Sequence, residues 1–215
     1  PMKHITFYLD FISPYAYLAF ERLPQALEGI SHEVRYTPIV FGALLKHHGQ
    51  LGPAEMAGKR EWTYRQVLWL AHQLGVPLHM PLHHPFPSLD LLRLSVAAGS
   101  DGLPGRWVCE QVFHHVWHGG RDAADPQRLA ELAQQLNPLR DPQSVEVKQQ
   151  LRQFTDAAIA QQVFGVPTFV VDGKVFWGLD ALPMLRAYLL GDAWFDAPHW
   201  DEVERNTPSI TRQPR

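Results

Sequence analysis

Cysteine is nearly absent. Cys109 stands alone among 215 residues, so no internal disulfide and no thiolate-rich zinc site can staple the chain. No run of about 18 apolar residues occurs, which excludes a membrane-spanning helix. An excess of one charge sign is missing too. The formal net charge is −3, from 19 Lys and Arg against 22 Asp and Glu, which leaves no electrostatic footprint for nucleic acid or an anionic membrane. The opening residues carry no basic stretch, long apolar stretch and cleavage site of a leader, so a soluble, cytoplasmic protein is expected. What the chain does have is apolar and aromatic mass. It is 46% hydrophobic, with 7 Trp, 6 Tyr and 11 Phe, enough to bury a core without staples and to exclude bulk disorder. Most of its 18 prolines fall where helices would start, which predicts many short, punctuated helices.

Ile5 to Phe11 is β-branched and aromatic and reads as a buried strand. Ser13-Pro14 then opens a helix, serine at the N-cap and proline in the first turn, expected to stop or kink at Pro24. Glu33 to Val40 alternates as a second strand, so the first 40 residues form a βαβ unit with parallel strands. From 41 to 163 the periodicity is helical: Val67, Leu70, Ala71 and Leu74 end at Gly75, Ser88 caps a helix through Leu92 and Val96, and Asp125-Pro126 and Asp141-Pro142 open two more. Residues 168–177 form a hairpin around Asp172-Gly173, a type I′ turn signal, and a last helix runs from Leu182 to Gly191. The expected organisation is one α/β domain from 1–40 and 164–191, a helical insertion at 41–163, and a tail at 192–215.

The order βαβ, insertion, ββα is that of the thioredoxin fold. Its active residue sits at the start of the first helix, facing a cis-proline before the third strand. Those places hold Ser13-Pro14-Tyr15-Ala16 and Gly165-Val166-Pro167-Thr168. The run F-Y-L-D-F-I-S-P-Y-A-Y, the G-V-P-T-F before the hairpin and the G-L-D-A-L-P-M-L after it resemble 2-hydroxychromene-2-carboxylate isomerases, relatives of kappa-class glutathione transferases and of DsbA. The resemblance covers about residues 4–190. It implies glutathione as cofactor, a small aromatic substrate from aromatic-compound breakdown, and a homodimer.

The residues themselves choose between thiol chemistries. A dithiol oxidoreductase of this fold needs C-x-x-C, and the corresponding positions are Ser13 and Ala16. A serine at a helix N-terminus can instead donate its O–H to an anion, where the helix N–H groups also favour negative charge. The blander reading, a cap alone, is worth about 1 kcal/mol, and both can hold. A cis Val166-Pro167 bond would turn the Val166 N–H and C=O toward an extended peptide such as glutathione. The resemblance implies that Asp180 and the adjacent Leu179 backbone hold the γ-glutamyl end. It also implies that an Asn and a lysine nine residues apart contact glutathione; here Gln50 stands in place of the Asn and Lys59 is the lysine, suited to the glycyl carboxylate. Asp180 equally reads as the N-cap of the last helix. Pro14, Tyr15, His84 and Phe86 are candidates for the substrate pocket.

Other signals carry less. His114 and His118 have metal-pair spacing on a helix but lack an acidic residue between them and a third ligand at fixed distance, so no metal is expected. Trp62 and Trp69 read first as core and second as walls of an aromatic-accepting pocket where the insertion faces Ser13, and Cys109 reads as a core or interface thiol. Pro1 precedes Met2, so it reads as an addition ahead of a native start and not as a catalytic amine. Two readings stand beside the isomerase: a kappa-like transferase for another electrophile, which would consume glutathione, and a redox-inactive module that binds extended peptide.

Overall fold

Strand residues that alternate between two covered faces read as one continuous apolar run, and the first strand is of that kind. In the computed structural model, which describes residues 1–213, it is β1 (Lys3–Leu9), with Ile5, Phe7 and Leu9 fully buried. Helix α1 (Pro14–Ala26) leads to β2 (His32–Pro38), which pairs with β1 in parallel from Lys3–His32 to Leu9–Pro38. Strand β3 (Thr168–Val171) lies antiparallel to β1, and β4 (Lys174–Trp177) antiparallel to β3, giving the order β2-β1-β3-β4. This is the expected thioredoxin-like α/β sheet. Its hairpin turns at Asp172 (φ 50°) and Gly173 (φ 74°), the left-handed pair that a type I′ turn requires.

Between β2 and β3 lie α2 (Phe41–His48), α3 (Lys59–Leu74), α4 (Leu89–Ala98), α5 (Arg106–Trp117), α6 (Pro126–Leu136) and α7 (Val145–Ala160). Helix α8 (Leu182–Leu189) follows the hairpin. One apolar cluster runs from Phe7 and Phe169 in the sheet through Phe20 on α1 to Phe113 and Trp117 on α5. The helices between the strands therefore share the sheet's core. Each fully buried Phe or Leu in it contributes roughly 2–3 kcal/mol. No helix among the described residues is long and apolar enough to cross a membrane.

Five local expectations are corrected. Helix α1 passes through Pro24 and ends two residues later, because the Phe20 carbonyl that Pro24 cannot reach is taken by the Arg106 guanidinium at 3.0 Å. Ser88 flanks α4 without a side-chain cap bond, its hydroxyl turned to Asp10. Helix α7 starts one turn late: Asp141 accepts from the Gln143 N–H at 2.8 Å, closing a local turn, and Ser144 caps the helix. Asp180 caps nothing. It sits in a one-turn 3₁₀ segment (Leu179–Ala181), and Pro183 in the first turn of α8 sets that helix's start beyond it. Trp62 and Trp69 are 61% and 56% exposed, so they form a surface of α3 and not core.

Candidate active site

Ser13 ends a tight turn and begins α1. Its Oγ accepts the Ala16 N–H at 3.1 Å, the N-cap bond expected of it. Its own hydroxyl proton has no partner among the described residues, and the side chain is almost buried. The turn ahead of it is pinned from several sides. Trp117 Nε1 donates to the Phe11 carbonyl at 3.1 Å, and the Ile12 N–H donates to Asp10 Oδ1 at 3.2 Å. Asp10 Oδ2 accepts the Phe41 N–H at 3.0 Å, which ties α2 to the same turn. Burial raises the Asp10 carboxyl to about 6, against the pull of the Phe41 and Ile12 N–H groups.

Beside this turn opens a cavity of about 1120 Å³. Tyr15 of α1, Gln50 after α2, Lys59 at the start of α3, and Val166, Pro167, Leu179 and Asp180 from either end of the hairpin all line it. Seven residues singled out in the sequence thus meet in one place. The Val166-Pro167 bond is cis. Neither the N–H nor the C=O of Val166 has a hydrogen-bond partner among the described residues, although Val166 is only 8% exposed. Gly178 (φ 101°) makes room for the acid: a Cβ there would stand 2.6 Å from Asp180 Oδ1. Gly165 does the same for Trp177, whose Nε1 would lie 2.8 Å from an added Cβ, and Trp177 meets Phe164 edge-on at 4.9 Å.

Ser13 and three further candidates lie off the cavity wall. Pro14 and Phe86 are buried in or against the core, since the first turn of α1 and the start of α4 pack inward. His84 lies behind the Ser13 turn, where Nε2 is 2.7 Å from the Ile12 carbonyl. Tyr15 does face the cavity, and its hydroxyl donates to Gln66 Oε1. Burial, and then the charge of Asp180, hold the Tyr15 hydroxyl above the ordinary phenol range, so it stays a donor at neutral pH. His114 and His118 stack at 4.0 Å, but His114 pairs with Glu21 and His118 with the Tyr17 hydroxyl. Among the described residues no three His, Cys, Asp or Glu side chains converge. Cys109 is fully buried, and burial pushes its thiol far up.

From α3 the sequence reading took Lys59 and, as a second reading, Trp62 into the site, and it missed the rest of that helix face. Lys59, Trp62, Thr63, Gln66, Leu70 and Leu74 all line the cavity. Their three- and four-residue spacing marks one helix face, and Lys59 was the signal that this face looks onto the site. The Phe164–Trp177 pair had no signal, because it depends on the hairpin's return.

The pattern of the family described as "DSBA-like thioredoxin domain" matches residues 4–190. A 2-hydroxychromene-2-carboxylate isomerase of Sphingobium xenophagum is 29% identical over 195 residues, 87% of this chain and 98% of that one. Glutathione S-transferase kappa 1 of Rattus norvegicus is 27% identical over 205 residues, 87% of this chain and 90% of the relative. A solved 2-hydroxychromene-2-carboxylate isomerase (HCCA isomerase) shares the fold at TM-score 0.71 and 24% identity, over 95% of this chain and 100% of the other. The chain is thus related to isomerases and to glutathione transferases. With the sheet order in place and the match spanning both ends of the sheet, the chain belongs to the DsbA-like thioredoxin domain family.

Proposed function

We propose that the chain is a glutathione-dependent isomerase that converts 2-hydroxychromene-2-carboxylate, or a close aromatic analogue, to trans-o-hydroxybenzylidenepyruvate. The observation that carries this reading is the cavity that collects Lys59, Asp180 and the unpaired Val166 backbone beside a serine whose hydroxyl proton is free. Those groups fit an extended γ-glutamyl peptide. The Val166 N–H and C=O offer a peptide-like pair of bonds. Lys59 supplies a cation for the glycyl carboxylate, and Asp180 an anion for the α-ammonium, with Gln50 and the Leu179 backbone beside them. When bound, glutathione supplies a thiolate nucleophile that is returned unchanged.

The protein's own part is to make that sulfur available and to shape the space around it. A free thiol has a pKa of roughly 8.5, so an O–H donor at a helix N-terminus raises the thiolate share at neutral pH. In this reading Ser13 is the donor, and Tyr15, on the cavity wall, remains protonated. Phe41, Trp62, Phe164 and Trp177 give the cavity an apolar, aromatic wall that suits a flat ring. Ser13 is a donor here and not itself the nucleophile.

The kappa transferases among the relatives support the same site with different stoichiometry. Incubation with glutathione and hydroxychromene carboxylate decides between them. Isomerisation with no loss of free thiol supports the isomerase. Loss of one thiol per product means a transferase, and no glutathione binding removes both. A homodimer belongs to the same reading, and sedimentation equilibrium tests it.

A further inference from the structure

His84 was a pocket candidate, yet its ring faces the back of the Ser13 turn. The Ile12 carbonyl can only accept, so the His84 Nε2 that lies 2.7 Å from it carries the proton. Nδ1 is left with a lone pair. The Tyr64 hydroxyl of α3 stands 2.7 Å from that nitrogen and 2.8 Å from the His84 carbonyl oxygen. The ring is wedged between Phe86 at 6.0 Å and Trp117 at 5.6 Å, so it has little freedom to turn. Burial holds the imidazole below its usual range, which favours its neutral form, and the bond to Ile12 selects this tautomer. On the other side of Ile12, its N–H is held by Asp10. Ile12 is therefore held on both sides: its carbonyl, in the peptide that enters Ser13, by His84 from 72 residues away, and its N–H by Asp10 two residues before it.

We propose that Tyr64 and His84 are positioning residues that fix the Ile12–Ser13 peptide and thereby aim the Ser13 hydroxyl at the thiolate of bound glutathione. This rests on the glutathione reading above. The Ser13 Oγ is placed by the backbone that carries it and by one side-chain torsion, which the Ala16 N–H holds, leaving only the O–H to turn toward a partner. The cap bond to Ala16 holds the helix side of Ser13, and His84 holds the loop side. Donors must be placed within fractions of an ångström to act on a developing or resident anion.

The test reads the thiol and not turnover. The pKa of bound glutathione is followed by the ultraviolet absorbance of its thiolate in wild type, Tyr64→Phe, His84→Leu and His84→Gln. Binding of S-methylglutathione, which has no thiol to ionise, is measured beside it. Tyr64→Phe and His84→Leu should raise the thiol pKa by about one unit, a tenfold loss of thiolate at neutral pH, with S-methylglutathione affinity unchanged. His84→Gln, whose amide can donate to the Ile12 carbonyl, should recover most of it. An unchanged thiol pKa in both Tyr64→Phe and His84→Leu overturns the assignment. So does a parallel loss of S-methylglutathione binding, which marks a merely structural role. If His84→Leu does not fold, Tyr64→Phe decides alone. Wild type that binds neither thiol nor thioether refutes the glutathione reading itself, and this inference with it.

Discussion

Ser13 has two jobs that one substitution removes and another separates. Its Oγ accepts the Ala16 N–H at 3.1 Å, and its proton is free. Ser13→Ala deletes both. Loss of the cap costs about 1 kcal/mol, which lowers Tm by roughly 2–4 °C in a chain of this size. A hydrogen bond to a charged partner is worth about 1.5–3 kcal/mol, so losing the donor should raise the pKa of bound glutathione by roughly one to two units. Ser13→Asp keeps a capping oxygen but sets a carboxylate against the thiolate. Stability should then rank wild type and Asp together above Ala, while thiol pKa should rise from wild type to Ala to Asp. Thermal melting gives the first order and thiolate absorbance the second. The reasoning fails if the two orders coincide, or if Ser13→Ala leaves the thiol pKa where it was.

Three further outcomes are expected. Glutathione at about 100 times its Kd should stabilise the chain by roughly 2.7 kcal/mol and raise Tm by about 5–10 °C, and Asp180→Ala should remove most of that shift. An equal shift in the variant would take Asp180 out of the site. Asp10 is raised in the fold from 3.8 to about 6, so its contribution is full below the lower value and is lost as pH climbs through the upper one. The loss is about 3 kcal/mol, and Asp10→Asn should flatten the stability–pH curve between those values; a slope that persists would assign it to other groups. Cys109, fully buried and with its thiol pushed up, should resist thiol reagents in the folded chain and react at once in denaturant. Labelling of the native state at the unfolded rate would count against this packing.

What was legible in the sequence was local. Ser13-Pro14, Asp172-Gly173 and Gly75 work through their own φ angles and nearest hydrogen bonds, and each marks an element end in the structure. The misplaced ends share a different cause. Pro24 does not stop α1 because Arg106, on α5, satisfies the carbonyl it frees, and no pattern around Pro24 announces that. Ser88 stands at its cap position but makes no cap bond, and Asp180 lies one residue ahead of the cap position, which Ala181 holds. The exposure of Trp62 and Trp69 follows from which face of α3 the cavity and core claim, and hydrophobic spacing does not say. The site divides the same way. Val166-Pro167 and Ser13 were visible as motifs, whereas the His84 bond to Ile12 joins residues 72 apart and needed the fold.

The chain between β2 and β3 does more than wall a cavity. Every grip on the turn ahead of Ser13 that comes from outside it comes from that stretch: Trp117 from α5, His84 from the loop before α4, and the Phe41 N–H that seats Asp10 from the start of α2. A serine at this position has no thiolate of its own, and Cys109 is sealed in the core, so any sulfur chemistry must be done on a thiol that arrives from solution. A visiting thiol makes no covalent bond to hold it in register. Its ionisation depends wholly on how well a fixed donor meets it, which puts a premium on a rigid turn. The same helices supply Lys59 and Gln50 at the cavity wall and the Phe86–Trp117 wedge around His84 behind the turn. On this view ligand binding and donor placement are two faces of one packing arrangement. Loosening the helices should therefore cost thiolate before it costs the fold.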